Sequence, residues 1–139
     1  EALKTVKAEL AGKILIDCTN PVGPNLTHGL HNTQSGSEMV QKLVPETKVV
    51  KAFTIYGYEN IEDSAYPGYE NLRPAMLIAG NDAAAKKVVS DLCAGLGWEP
   101  VDTGDLSMSL HLEHMTLLWI TMARVQGRGA GFVWAMLKR

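Results

Sequence analysis

Lys13-Ile-Leu-Ile-Asp-Cys-Thr-Asn-Pro21 and Lys48-Val-Val-Lys-Ala-Phe-Thr54 decide the reading of this chain. Each is a short, β-branched run that breaks off into small and polar residues. Near-continuous apolar runs of this length, flanked by helical patterns, predict parallel strands covered on both faces. In an open α/β sheet, ligands sit just outside the carboxyl ends of such strands, and both phrases carry their unusual residues there. The expected fold class is therefore α/β.

The same alternation extends on both sides. Leu3, Val6 and Leu10 recur at helical spacing before Gly12, which predicts a helix over 2–11. Strands are expected at 13–17, 48–52, 75–79 and 98–102. A helix over 37–44 ends at Pro45. Another opens at Asp82 and carries Val88, Val89, Leu92 and Leu96 as its apolar stripe before Gly95 and Gly97 stop it. A long polar and aromatic stretch, 54–73, separates the second and third strands, and stretches of that length are often functional. From 106 to 126 the pattern is one long helix, apolar around nearly its whole circumference, broken at Gly127 and followed by a short amphipathic tail over 132–137. The chain opens at Glu1 without Met, in what reads as mid-helix, and contains no Gly-x-Gly-x-x-Gly turn. The expectation is the second half of a Rossmann-type parallel sheet over 1–105, followed by a helical segment over 106–139, with the first half outside the chain.

Composition excludes several function classes. The 139 residues are 46% hydrophobic and 20% charged, ordinary for a globular domain. A net charge of −2 leaves no basic stripe for nucleic acid. Two cysteines, Cys18 and Cys93, are too few for a disulfide framework and fit a reducing, cytoplasmic setting. His111, Glu113 and His114 near one end of the long helix, and Arg124 near the other, leave too short a clean run to span a membrane. A helix apolar on every side must still be buried. A homodimer interface centred on the 106–126 helix, with Trp119 and Trp134 as anchors, is expected; burial beneath another domain is the alternative.

The candidate site residues lie at the two strand ends. Thr19, Asn20 and Pro21 form a loop that proline holds extended, which suits a polar edge lying against a planar ring or its ribose. Ala52 permits close approach, Phe53 supplies a wall and Thr54 a hydroxyl. The same residues also read as plain strand-ending turns. Lys51, inside an apolar strand, either aims at an anion or snorkels from an edge. Histidine occurs in two spaced pairs, His28-Gly-Leu-His31 and His111-Leu-Glu-His114. A metal site needs three or four converging ligands, and nothing in the spacing joins the pairs, so no metal is assigned. Gly127-Arg-Gly-Ala-Gly131 follows a helix rather than a strand and is read as a helix break, not a phosphate cradle. No residue is assigned a catalytic role.

In order and spacing, Ile14-Leu-Ile-Asp-Cys-Thr-Asn-Pro21, Val49-Val-Lys-Ala-Phe-Thr54, Met76-Leu-Ile-Ala-Gly-Asn-Asp82, Gly97-Trp-Glu-Pro-Val-Asp-Thr-Gly104 and Leu112-Glu113 resemble the NADPH-dependent reductases of the deazaflavin coenzyme F-420 and related dinucleotide-binding oxidoreductases. The resemblance implies a Rossmann domain with a dimer-forming helical segment. It also implies hydride transfer between NADP(H) and a deazaflavin or flavin-like acceptor, with His111 and Glu113 near the substrate. Thr54 stands where the family often has Asn, Asp105 where Pro is usual, and Ser109-Leu110 where Ala-Arg is usual, which removes a fixed cation. Because the phosphate-binding turn is not in the chain, the chain alone is expected to bind NADPH poorly and to be inactive. Two alternatives stay open: a metal-binding or metal-reducing module built on the His pairs, and a non-enzymatic dimerisation domain.

Overall fold

In the computed structural model, which describes residues 2–69 and 71–139, all four expected strands form. Glu1, at the expected mid-helix opening, and Glu70, within the long 54–73 stretch, lie outside the described residues. The strands are β1 (Ile14–Asp17), β2 (Lys48–Lys51), β3 (Ala75–Gly80) and β4 (Glu99–Asp102). The helices are α1 (Ala2–Thr5), α2 (Lys7–Leu10), α3 (Gly36–Leu43), α4 (Tyr58–Glu62), α5 (Ala83–Gly95) and α6 (Ser109–Ile120).

The sheet runs β1-β2-β3-β4, and it is mixed rather than parallel. β1 and β2 are parallel, as are β3 and β4, but β3 runs antiparallel to β2, with Val50 opposite Gly80. The connection explains the reversal. A parallel neighbour needs a crossover that carries the chain back to the far end of the sheet. Among its described residues the 52–74 segment contains only the five-residue α4, and it stays at the end where β2 finishes. The carboxyl ends of β1 and β2 therefore share one end of the sheet with the amino ends of β3 and β4.

Both faces of the sheet are covered, as the apolar runs require. Register places Leu15, Val49, Asp17 and Lys51 on one face and Ile16 and Val50 on the other. The first face packs Leu15 and Val49 with Leu3, Leu10, Val40, Val44 and Leu106. The second packs Val50, Met76 and Ile78 with Ala85, Val89, Cys93 and Trp98. Helix α5 thus turns Ala85, Val89 and Cys93 inward, while Val88, Leu92 and Leu96 of the expected stripe face outward, so only Val89 of that stripe is core. Helix α3 is fixed at its start by a reciprocal cap in which Ser35 and Glu38 exchange hydrogen bonds.

The expected single long helix resolves into a 3-10 turn (Leu106–Met108), the twelve-residue α6, and a π-type turn (Thr121–Val125). Thr121 Oγ1 bonds back to the carbonyl of Leu117 at 2.8 Å, and Gln126 N reaches Thr121 O at 2.9 Å. Such back-bonds and widened turns bend and end α-helices. Among the described residues no helix is long and apolar enough to cross a membrane. The buried stripe of α6 is Ser109, Leu112, Glu113, Thr116 and Trp119, so much of its inward face is polar. Trp119, expected as an interface anchor, is instead 2% exposed within this chain. Its ring lies where a Cβ on Gly57 would stand 2.6 Å away, and its Nε1 donates to Phe132 O at 3.0 Å. The tail is tied to β3 by Ala75 N, which donates to Trp134 O at 2.8 Å.

Candidate functional site

Asp17 ends β1 and Lys51 ends β2, and the parallel register sets them opposite each other. Lys51 is fully buried. Its ammonium lies 3.4 Å from Asp17 Oδ2 and 3.2 Å from Glu113 Oε1, and it donates to the Thr19 carbonyl. All three of its donor positions are thereby used. Asp17 also accepts from Ser37 Oγ at 2.5 Å and from Thr19 N and Oγ1 at 3.0 and 2.7 Å. Burial pushes the Asp17 carboxyl up, but Lys51 and the hydrogen bonds from Ser37 and Thr19 outweigh it and hold the group below the ordinary carboxylate range.

Glu113 reaches this cluster from α6. Its Oε1 accepts from Gly36 N at 2.9 Å, and its Oε2 lies 2.8 Å from His28 Nε2. Two carboxylates thus face one ammonium, and the amino end of α3 offsets the surplus charge through the Gly36 amide and the Ser37 hydroxyl. Strand ends, α3, α6 and the 18–35 loop are joined here by charge-assisted hydrogen bonds rather than by apolar packing.

A second polar cluster adjoins it. Asn20 Oδ1 accepts from Thr54 Oγ1 at 2.7 Å and from Thr116 Oγ1 at 2.9 Å. Thr116 Oγ1 also accepts from Ile55 N at 3.2 Å. With Oδ1 occupied twice, the carboxamide is oriented, and its Nδ2 keeps only a 3.5 Å contact to Cys18 O. The Asn20 amide is therefore a held, largely unspent donor at the sheet's end. The β2 end is strained beside it: Phe53 and Ile55 have φ of 51° and 69°. A β-branched residue in that region is uncommon and persists only where its surroundings hold it.

The expected site residues separate into two groups. Thr19, Asn20, Pro21 and Phe53 are at least partly exposed along the strand-end loops. Ala52 and Thr54 are buried, so Thr54 orients Asn20 from behind rather than offering its own hydroxyl. His111 is exposed whereas Glu113 is 1% exposed, and the structure does not bring these two together on one surface. The two histidine pairs do meet, since His28 and His114 stack with ring centroids 5.3 Å apart. Among the described residues no group of three or more His, Cys, Asp or Glu is placed to hold a metal ion. At the same end of the sheet, where β3 begins, Tyr66, Tyr69, Leu72, Arg73 and Phe132 help line a cleft of 350 Å³.

This geometry has relatives. Over 136 residues, 93% of the chain, it is 35% identical to the F420-dependent NADP reductase of Methanocaldococcus jannaschii and covers 59% of that protein. A crystal structure from Arthrobacter sp. FB24, provisionally described as an F420-dependent NADP reductase, superposes with a TM-score of 0.84 at 32% identity over 96% of this chain and 61% of that one. In sequence and fold, this chain is related to the F420-dependent NADP reductases. It is also 31% identical, over 84% of its length, to metalloreductase STEAP3 of Rattus norvegicus, of which it covers 22%. No family model matches the chain. The chain thus spans about three fifths of the reductases it matches and about a fifth of the metalloreductase.

In the structure, the residues that sequence reasoning missed are Thr116, Asp17 and Gly36, and the true setting of Lys51 and His28. Asp17 and Lys51 did leave a signal, because each closes its strand and parallel pairing places them side by side. Lys51 neither snorkels nor points at an open anion site; it is saturated by its neighbours. Thr116 left none.

Proposed function

We propose that the protein is an NADP-dependent oxidoreductase that passes a hydride between NADP(H) and a deazaflavin or flavin-like acceptor. The observation that carries this reading is the Asn20 carboxamide, fixed by Thr54 and Thr116 at the carboxyl end of β1 with its Nδ2 left to donate. A small, oriented amide at that position fits a nicotinamide carboxamide or a ribose hydroxyl, and open α/β sheets bind nucleotides there. Thr19 and Pro21 extend the same edge, and Phe53 forms a wall. NADPH, when bound, supplies the hydride. The protein's part is to hold the two rings in line and keep water out, and orientation alone lowers such barriers by several kcal/mol.

The cleft of Tyr66, Tyr69, Arg73 and Phe132 suits the acceptor, since aromatic walls with one guanidinium match a planar, anionic molecule. His111 and Glu113 act on the acceptor side in this reading, His111 by contact and Glu113 through the cluster it anchors. A homodimer formed over the outer face of α6, and a cytoplasmic setting, belong to the same proposal. The likeness to a metalloreductase gives one rival, direct reduction of a metal chelate.

The test is NADPH oxidation by the purified full-length protein, carrying the phosphate-binding segment expected outside this chain, followed by nicotinamide absorbance, with coenzyme F-420, FMN and a ferric chelate in parallel. Turnover with F-420 or FMN supports the proposal. Turnover with the ferric chelate alone transfers it to metal reduction. Absence of any NADPH heat in calorimetry, with no turnover, overturns it.

A further inference from the structure

We infer that His28, in its Nε2–H tautomer, is the positioning residue of the Asn20 and Pro21 loop: it clamps residues 28–33 onto that loop and ties both to α6 through Glu113, so that a second proton on the imidazole releases the loop. The inference rests on the nucleotide reading above only for its functional consequence.

The tautomer follows from the partners. Nδ1 accepts from two backbone amides, Leu30 N and Asn32 N, each at 3.3 Å, and so carries no hydrogen. Nε2 then holds the hydrogen and donates to Glu113 Oε2 at 2.8 Å. The imidazole is buried, with only 1% of its side chain exposed. The turn it holds is otherwise unfavourable, because His31 and Asn32 are consecutive residues with φ of 54° and 60°. That turn is pinned directly to the candidate site. Gly29 N donates to Pro21 O at 2.6 Å, and a Cβ on Gly29 would stand 3.0 Å from the same oxygen. Val22 and His28 form an isolated bridge that closes the loop.

A proton on Nδ1 would face two N–H groups and displace both, leaving the Leu30 and Asn32 amides without the acceptor that holds them. The titratable groups facing the imidazole are Glu113 and the stacked His114 of α6. Lys51 of β2, 3.2 Å from Glu113 Oε1, and Gly36 N share that carboxylate with His28, and Asp17 of β1 in turn shares Lys51.

The experiment is a titration between about pH 8 and about pH 5, the interval in which imidazoles charge, on the purified full-length protein that carries the expected phosphate-binding segment. Imidazole nitrogen NMR reads the His28 tautomer, amide NMR reads Leu30, Asn32 and Asn20, and NADPH affinity is measured across the same range. The expected result is an unprotonated Nδ1 at the upper end and joint movement of all three amides as His28 charges. NADPH affinity should fall about tenfold over that step, as loss of a positioned hydrogen bond predicts. In His28→Gln, whose carboxamide can donate and accept but does not titrate, the acid-dependent step disappears. A hydrogen on Nδ1 at neutral pH, or Asn20 insensitive to the charging of His28, overturns the inference even if the variant does not fold. If the three amides move together but NADPH binds at no pH, the clamp stands and the nucleotide reading falls.

Discussion

The two halves of the sheet are held by different physics. Around β3, β4 and α5 the filling is apolar: Met76, Ile78, Val89, Cys93 and Trp98 are all buried, and Tyr56 stacks on Trp98 at 5.4 Å. Around the ends of β1 and β2, α3 and α6 are joined through Asp17, Lys51, Glu113, His28, Asn20, Thr54 and Thr116. Apolar contact is non-directional and tolerates small shifts, whereas each of these polar bonds fixes a distance and an angle. Where the second kind concentrates, the chain is specifying atoms rather than filling volume, and it does so beside the strand ends.

The sharpest way to break this contrast is Lys51→Met, which keeps the volume and removes the charge. Two buried carboxylates lose their cation, and unfolding by urea should show a loss of about 3–5 kcal/mol. A loss under 1 kcal/mol would mean that the polar half is held by its shape alone. Next in size is an acid limb. Asp17 has a folded pKa below its unfolded one, so its contribution is fully present above the unfolded value and is lost as pH falls through the folded one. Stability measured by urea should therefore decline in acid, and Asp17→Asn should flatten that decline.

On the apolar side, Ile78→Val should cost about 0.5–1.5 kcal/mol, with no change in the shape of the pH profile. A pH-dependent cost there would show that the two halves are coupled. The smallest effect on folding belongs to Leu118→Glu. Leu118 is 51% exposed on α6, so the chain's own stability should change by less than about 0.5 kcal/mol. If a second copy packs on this face, light scattering will show the native dimer replaced by monomer; an unchanged mass removes the dimer proposal.

Much of the frame was legible in the sequence, for identifiable reasons. β-branched runs located β1 and β2, and short runs bounded by turn residues located β3 and β4. Asp82 capped α5 as expected, and Ser35 with Glu38 is a readable start signal for α3. The direction of β3 was not legible. A strand's residues carry no mark of polarity, which here depends on the 52–74 connection staying at one end of the sheet. The inward face of α5 was misread because Val88, Leu92 and Leu96 outweigh the smaller Ala85 and Cys93 in hydrophobicity while facing out. At the site, Asn20 could be found from its place after a strand. Thr116 could not, since it is one hydroxyl in an apolar helix and acts on residues far away in the chain. The left-handed backbone at Ile55 runs against the preference of its own side chain, so local sequence argues the wrong way.

The separation of the site's partners along the chain bears on the order in which the molecule assembles. Asp17 and Lys51 are 34 residues apart, but His28 and Glu113 are 85 apart, and Asn20 and Thr116 are 96 apart. Closing longer loops costs more entropy, and contacts distant in sequence are the slow ones to form. During synthesis the paired strands β1 and β2 emerge well before α6 exists to meet them. Until it arrives, Lys51 has one of its two carboxylates, Asn20 has neither Thr116 nor a fixed orientation, and the bent backbone at Ile55 lacks the hydroxyl that accepts its amide. Within this chain the strand-end site is therefore a late product of folding, completed only when α6 closes over the sheet.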